Sequence, residues 1–266
     1  MSLCDDCIKG VRHEGTPSGE LKRINGVDCY VATPEGDYPK DKVLLFLPDA
    51  FGVAQNNKLL VDDFARNGYK TVMLDYFEGD AVPEAAYETL IAGMRGEKLA
   101  SLSQSFAPTF NIGEWIAKHP QEIVRPLIDK VIAALKEEGV TQFATTGYCF
   151  GGRYCFDLAF DNVSKVTIVS HPSLLKTPDD LEKYFASSKA PLLINSCPID
   201  PLFPIEAQQL ADKIFDDGKF APGYKREYFD GCVHGFASRG DMSDPKIKAG
   251  KEGAFKAAVE WLKKYL

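Results

Sequence analysis

The fold is most clearly indicated by Gly147-Tyr148-Cys149-Phe150-Gly151-Gly152. This stretch lies between a run of strand composition, residues 143–147, and a segment that predicts a helix. A nucleophile elbow of the G-x-S-x-G type occupies this place in a strand-turn-helix unit, here with cysteine instead of serine. The glycines let the strand and the helix approach closely, and a helix N-terminus favours the thiolate form of a cysteine. The stretch therefore predicts an α/β fold with Cys149 as a nucleophile.

Strand patterns and helix patterns alternate along most of the chain. Short apolar or alternating runs predict strands over residues 28–33, 43–47, 70–74, 143–147, 166–169, 192–195 and 225–229. Apolar spacing of three and four predicts helices near residues 60–68, 124–139, 179–186, 204–214 and 255–262. The first strand alternates only weakly, so we expect it at an edge of the sheet. The alternation predicts a mostly parallel central sheet with helices on both faces.

Residues 75–113 interrupt this alternation. They mix glycine, proline and serine with patchy periodicity, which is typical of an excursion away from the sheet. We expect this segment to form a cap or lid. The chain shows no internal repeat, no low-complexity segment and no linker composition, so residues 1–266 are expected to form a single domain.

Charge and cysteine content exclude several classes of partner. The formal charge of −7 and the pI near 5.2 argue against binding to nucleic acid or to an anionic membrane, which favours clustered basic residues. The N-terminus has early acidic residues and no apolar signal region, and no run is long enough to span a bilayer. The seven cysteines are odd in number and scattered, which indicates free thiols in a reducing compartment. We expect a cytoplasmic protein.

A cysteine or serine elbow requires a histidine base and an acid that orients it. Asp200 follows the strand predicted over residues 192–195, and His234 follows the strand predicted over residues 225–229. Of the four histidines, His234 alone has the order and the side of the sheet that the elbow demands. His171, which precedes a proline, is interpreted as a turn residue. The sequence thus predicts a Cys149-His234-Asp200 triad, with a turn aspartate and a loop histidine as the alternatives.

These motifs resemble those of a known family. The elbow, the Asp200 loop and His234-Gly235-Phe236-Ala237-Ser238-Arg239 are similar to the dienelactone hydrolase (carboxymethylenebutenolidase) family, from about Gly26 onward. Residues 7–19, with His13-Glu14-Gly15, resemble the fungal and yeast branch. The resemblance implies an α/β-hydrolase fold, hydrolysis of an ester or lactone by a cysteine triad, and no metal or organic cofactor. Many relatives are dimers, which makes a homodimer an expectation although no stretch of sequence identifies an interface.

Four further residues are assigned roles from the elbow and from the resemblance. The backbone N–H groups of Phe150 and Ala50 are expected to form the oxyanion hole. Asp49 matches the family position whose acid, a glutamate in the prototype members, hydrogen-bonds the resting thiol. Arg239 resembles the family arginine that grips a substrate carboxylate, although it lies one residue further from the histidine. The alternatives are a turn aspartate and a surface arginine.

Several residues are compatible with functions or sites other than ester hydrolysis. Cys4, Cys7 and His13 offer three ligands where a structural zinc site needs four. Cys197 and Cys232 flank the acid and the histidine, so a disulfide with Cys149 and a thiol redox or peroxide-sensing role remain alternatives. A non-catalytic ligand receptor on a hydrolase scaffold is a further alternative function, because a fold does not determine a function. A glutamine amidotransferase is excluded because the histidine lacks the glutamate two residues later.

Overall fold

The central sheet is the core of the fold. The computed structural model describes residues 8–96, 110–216 and 218–266. Within these ranges eight strands pair in the order β1-β2-β4-β3-β5-β6-β7-β8, where the strands are β1 Glu20–Ile24, β2 Val27–Ala32, β3 Lys42–Leu47, β4 Thr71–Leu74, β5 Gln142–Tyr148, β6 Ser164–Ser170, β7 Leu192–Ser196 and β8 Tyr224–Tyr228. β2 is antiparallel to both β1 and β4, and β3 to β8 run parallel. The predicted α/β class with a mostly parallel sheet is confirmed.

Helices cover both faces of the sheet. They are α1 Gln55–Arg66, α2 Tyr87–Met94, α3 Ile112–Lys118, α4 Gln121–Glu137, α5 Phe150–Phe160, α6 Asp179–Ser187, α7 Ile205–Phe215 and α8 Pro245–Tyr265. Because side chains alternate along a strand, Leu44 and Phe46 of β3 pack with α1 and α8, whereas Leu45 and Leu47 pack on the opposite face with α4 and α5. Burial on both faces explains why β3 is a continuous apolar run.

The strand order creates a crevice beside the centre of the sheet. β3 is flanked by β4 on one side and by β5 on the other, so the connections that follow β3 and β5 leave in opposite directions. Ligands bind at such a switch point, outside the carboxyl ends of the strands. Leu47 at the end of β3 pairs with Gly147 near the end of β5. This register places the loop that contains Asp49 beside Cys149.

The prediction of an edge strand over residues 28–33 was wrong. The corresponding strand β2 is paired on both sides, and the edge is β1, which the sequence pattern did not reveal. β1 has the sequence ELKRI, and four of its five residues are exposed. An edge strand with little burial carries no apolar alternation, and charged residues there discourage pairing with other chains.

The described part of residues 75–113 forms no strand, although the Asp75 N–H donates to the Asp28 carbonyl of β2 at 2.8 Å. Residues 84–86 form a 3-10 turn that leads into α2, and α3 begins at Ile112. Residues 97–109 lie outside the described residues. The roles of this segment as a cap and of residues 1–266 as a single domain stay predictions.

Neither a membrane-spanning helix nor a metal cluster is found among the described residues. No helix in these ranges combines the length and the apolar character needed to cross a membrane. The same ranges hold no group of three or more histidine, cysteine or acidic side chains placed to share a metal ion. Cys4 and Cys7 lie outside the described residues, and His13 Nε2 contacts Glu252 Oε1 at 2.9 Å.

Candidate active site

Cys149 occupies a sharp turn between β5 and α5. Its backbone has φ 48° and ψ −112°, in the left-handed region that non-glycine residues rarely adopt. The turn depends on close contacts that only glycine allows. A Cβ on Gly151 would lie 2.0 Å from the Leu47 carbonyl oxygen, and one on Gly147 would lie 2.5 Å from Cys155 Sγ. The conformation costs about 1–3 kcal/mol, and such strain is typical of functional sites.

His234 and Asp200 form a buried pair. His234 Nδ1 and Asp200 Oδ1 are 2.8 Å apart, and the two side chains are 3% and 1% exposed. The same Oδ1 accepts hydrogen bonds from the backbone N–H groups of Leu202 at 3.0 Å and Phe203 at 3.1 Å. These two amides determine which carboxylate oxygen faces the imidazole.

Backbone contacts align the acid and base loops. The loops after β7 and β8 are joined by a parallel bridge between Ile199 and Val233. The His234 N–H also donates to the Ile199 carbonyl at 2.8 Å. The His234-Asp200 distance is therefore held by the chain on either side of the pair.

The charges around His234 favour its protonated form. Burial opposes protonation, but a negative charge on Cys149, the Asp200 carboxylate and the hydrogen bond to that carboxylate outweigh it and raise the pKa of His234 from 6.5 to about 10. Within the described residues Nε2 has no hydrogen bond of ordinary geometry. This nitrogen is therefore free to exchange a proton with the thiol or with a reacting group.

A serine that the sequence analysis did not single out lies beside the thiol. Ser173 Oγ is 3.7 Å from Cys149 Sγ, and the Ser173 N–H donates to the Cys149 carbonyl at 3.0 Å. Ser173 follows β6, the neighbour of β5, at the carboxyl edge of the sheet. A polar residue directly after a strand that borders the elbow strand is the signal that could have identified it.

Asp49 lies close to Arg239 and makes no described hydrogen bond to Cys149. Arg239 Nε donates to Asp49 Oδ2 at 3.1 Å, and a second guanidinium nitrogen donates to Oδ1 at 3.3 Å. The Asp49 carboxylate also accepts hydrogen bonds from Asn57 Nδ2, the Phe51 N–H and Ser238 Oγ, at 2.9, 3.1 and 2.8 Å. The expected contact between acid and thiol is thus absent from the described contacts. Arg239 is buried rather than at the surface.

Ala50 and Phe150, whose amides are expected to form an oxyanion hole, both lie beside Cys149 in the structure. Ala50 follows β3, Phe150 begins α5, and both residues line the cavity beside Cys149. Neither backbone N–H donates a hydrogen bond to another described group. The Ala50 carbonyl accepts from the Val82 N–H at 2.8 Å, which holds this loop in place. An oxyanion hole is formed by backbone amides that have no partner of their own, so the role of these two amides stays a prediction.

A cavity of about 110 Å³ opens beside Cys149. Its polar lining is Asp49, Cys149, Ser173, His234 and Arg239, and its apolar side chains are Ala50, Phe51, Tyr87, Leu90, Ile91, Met94, Ile112, Trp115, Ile116, Phe150, Leu174 and Leu202. Five of the apolar residues belong to the described part of the 75–113 segment. The cavity thus combines a nucleophile with an apolar wall, as small-molecule sites do.

His171, interpreted from sequence as a turn residue, is buried behind the histidine of the site. Its ring centroid lies 4.9 Å from that of His234, and neither of its nitrogens has a hydrogen-bond partner among the described groups. Burial, reinforced by the neighbouring charge of His234, lowers the pKa of His171 well below 6.5. A neutral imidazole therefore packs against His234. A His-Pro pair carries no signal of such burial.

Cys197 and Cys232, which flank the acid and the histidine in the sequence, are both buried. Cys197 Sγ faces the Ile199 carbonyl at 3.9 Å, and Cys232 Sγ faces the Lys246 carbonyl at 3.6 Å. Burial raises the pKa of Cys232 to about 11 and that of Cys197 further. Buried thiols with raised pKa values are poor nucleophiles.

Comparison with known proteins identifies relatives of the whole chain. The family model described as "Dienelactone hydrolase family" matches residues 27–266. "Dienlactone hydrolase 1" of Gibberella moniliformis is 34% identical over 264 residues, which cover 98% of this chain and 92% of the relative. "Hydrolase pyvD" of Aspergillus violaceofuscus is 32% identical, with 98% and 96% covered.

A solved structure extends the likeness to the fold. P91, a dienelactone hydrolase-like promiscuous phosphotriesterase from metagenomic libraries, superposes with a TM-score of 0.61 at 18% identity, covering 92% of this chain and 96% of that one. The expected α/β-hydrolase fold is confirmed. The chain belongs to the dienelactone hydrolase family, and it is a hydrolase of carboxylic esters or lactones.

Proposed function

We propose that the protein hydrolyses a small ester or lactone through a covalent intermediate on Cys149, with His234 as acid and base and Asp200 as the residue that orients it. One observation carries the proposal. A cysteine in a strained elbow lies at the mouth of an apolar cavity, together with a buried histidine-aspartate pair. This combination of nucleophile, base and orienting acid is what acyl transfer requires.

The first half of the reaction forms a thioester. The Cys149 thiolate attacks the carbonyl carbon, and the resulting oxyanion accepts hydrogen bonds from the Ala50 and Phe150 amides. Protonated His234 gives its Nε2 proton to the departing alkoxide oxygen as the carbon–oxygen bond breaks. Asp200 stabilises the imidazolium and holds Nδ1 as a donor. In a lactone the leaving alcohol stays attached to the acyl group.

The second half of the reaction consumes water. Neutral His234 removes a proton from a water molecule as its oxygen attacks the thioester carbonyl, and the same amides bind the new oxyanion. The carbon–sulfur bond then breaks, which releases the carboxylic acid and restores the thiolate with protonated His234. No electron transfer is involved, and no group beyond water is consumed.

Further expectations accompany this proposal. The apolar side chains of α2 and of Ile112 over the cavity support a cap role for residues 75–113. The five described cysteines are free thiols, which supports a cytoplasmic setting. A homodimer stays a prediction. The burial of Cys197 and Cys232 counts against a redox-sensing role because oxidants act on exposed thiolates.

The proposal is tested with 4-nitrophenyl acetate and with dihydrocoumarin, a simple lactone. Cys149→Ala and His234→Ala should each lower kcat by on the order of 10⁴-fold, because a triad acts as a unit. Mass spectrometry of the wild type, quenched during turnover, should detect an acyl group on the peptide that contains Cys149.

Cys155→Ala is the matched control. This cysteine lies in α5 near the elbow but is fully buried, so its loss should leave the acyl adduct and most of the activity in place. Ester turnover that survives Cys149→Ala would contradict the proposal. Tight binding of esters without product would instead favour a receptor.

A further inference from the structure

The charge and shape of the cavity define the chemical class of substrate. We propose, on the basis of the proposed function, that the site takes esters whose acyl group is uncharged, compact and apolar, and that it discriminates against acyl groups that carry a carboxylate. Two features of the cavity determine this selectivity, the apolar character of its wall and the pairing of Arg239 with Asp49.

Most side chains that line the cavity are apolar. Twelve of its lining residues contribute apolar or aromatic side chains, with Phe51, Tyr87 and Trp115 among them. Its volume of about 110 Å³ lies below the range of about 300–1,000 Å³ typical of sites for drug-sized ligands. A charged group placed against such a wall loses its hydration without regaining hydrogen bonds. A single ring or a short alkyl chain fits these conditions.

Arg239 is the one arginine or lysine that lines the cavity among the described residues, and its charge is already compensated. The imidazole of His234, which also lines the cavity, is paired with Asp200. The Arg239 guanidinium donates twice to Asp49, and both side chains are buried, at 6% and 4% exposure. The Phe51 ring covers the guanidinium, with its centroid 4.1 Å from the central carbon. An incoming carboxylate would therefore meet a neutral ion pair rather than a free cation.

Asp49 is fixed in place by more than Arg239. Asn57, Ser238 and the Phe51 amide also donate to its carboxylate. If the carboxylate turned away, these buried donors would lose their partner, which is costly. A second carboxylate beside Arg239 would instead lie close to the negative charge of Asp49. Neither arrangement favours an anionic acyl group.

The test uses three 4-nitrophenyl esters that share a six-carbon acyl chain. These are the hexanoate, the methyl adipate, which is neutral and polar at its end, and the adipate monoester, which carries a carboxylate there. For the wild type at neutral pH we expect kcat/KM for both neutral esters to exceed that for the anion by on the order of 100-fold, because a carboxylate in this cavity loses its hydration and finds no uncompensated cation.

Asp49→Asn separates the charge of Asp49 from its shape. Without the negative charge Arg239 becomes an uncompensated cation, so the preference for neutral esters should narrow by at least about tenfold. Glu84→Gln is the matched control, since it removes the same charge from an exposed position outside the cavity lining and should leave the preference unchanged.

The outcomes separate the two proposals. Hydrolysis that depends on Cys149 and is equal or faster for the anionic ester would overturn this inference and leave the proposed function standing. Absence of turnover that depends on Cys149 for all three esters would overturn both. If Asp49→Asn fails to fold, the comparison of the three esters with the wild-type protein still tests the preference for neutral acyl groups.

Discussion

Replacing Asp200 by asparagine should impair the enzyme far less than replacing it by alanine. In the structure Asp200 Oδ1 accepts hydrogen bonds from His234 and from two backbone amides, whereas Oδ2 has no described partner. The amides select an acceptor, so the oxygen of an asparagine should take the Oδ1 position and its NH₂ group the other. The asparagine oxygen would then still accept the Nδ1 proton, and His234 would keep its tautomer.

The expected fall in kcat follows from the change in one hydrogen bond, the bond between Nδ1 of His234 and residue 200. A hydrogen bond to a charged group contributes about 1.5–3 kcal/mol and a neutral one about 0.5–1.5 kcal/mol. The loss of roughly 1–2 kcal/mol predicts a fall in kcat of about 5- to 30-fold for Asp200→Asn. Asp200→Ala leaves no acceptor for Nδ1, so its kcat should fall by on the order of 10⁴-fold.

The assay is ester hydrolysis normalised to the Cys149 content of each preparation. Nitrogen NMR of His234 adds a readout that a structural role would not change, because the shifts of Nδ1 and Nε2 report the tautomer directly. If the asparagine variant loses as much activity as the alanine variant, or if its His234 shows the proton on Nε2, the assignment of Oδ1 as the anchored acceptor is refuted.

Three substitutions test the packing and the buried charges around the site. Gly151→Ala should lower the free energy of unfolding, measured in urea, by about 3 kcal/mol or more, because its Cβ would overlap the Leu47 carbonyl. Gly93→Ala is the control, since a Cβ at this position on α2 would lie in open space, and the substitution should be near neutral or stabilising. Burial and the charge of Arg239 lower the pKa of Lys251 from 10.5 to about 8. Between pH 8 and pH 10.5 the unfolded state therefore binds more protons than the folded state, and wild-type stability should rise with pH over this range. Lys251→Met should therefore gain about 3 kcal/mol at pH 7, and a gain that persists above pH 10.5 would contradict the reasoning. The pKa of His171 is also lowered, so the stability of wild type should again rise with pH. Below about pH 6.5 its free energy of unfolding should fall by up to about 1.4 kcal/mol per pH unit relative to that of His171→Phe. If the two proteins show the same slope of stability against pH in acid denaturation, His171 is protonated in the fold.

Most of the sheet could be predicted from local pattern. The strands predicted over residues 43–47, 166–169 and 192–195 are observed as β3, β6 and β7, with ends that differ by at most two residues. These strands are buried on both faces, so their composition alone distinguishes them from helices and loops. β1 was missed because an exposed edge strand needs no apolar residues, and α2 was missed because the pattern over residues 75–113 is patchy.

Local sequence was sufficient to predict the elbow, the order of nucleophile, acid and base, and the edge of the sheet where they are expected to meet. Each prediction rests on a local feature: glycines around Cys149, and an acid and a histidine in the loops that follow later strands. Parallel strands place their carboxyl ends together, so residues far apart in the chain could be assigned to one site before any coordinates.

The contacts between groups within that site depend on the tertiary structure. Asp49 and Arg239 are 190 residues apart, and their pairing depends on the register of β3 and on the loop after β8. The same holds for Ser173 beside the thiol and for His171 against His234. Local sequence carries no trace of such contacts, because they arise only when distant loops are brought together over one end of the sheet.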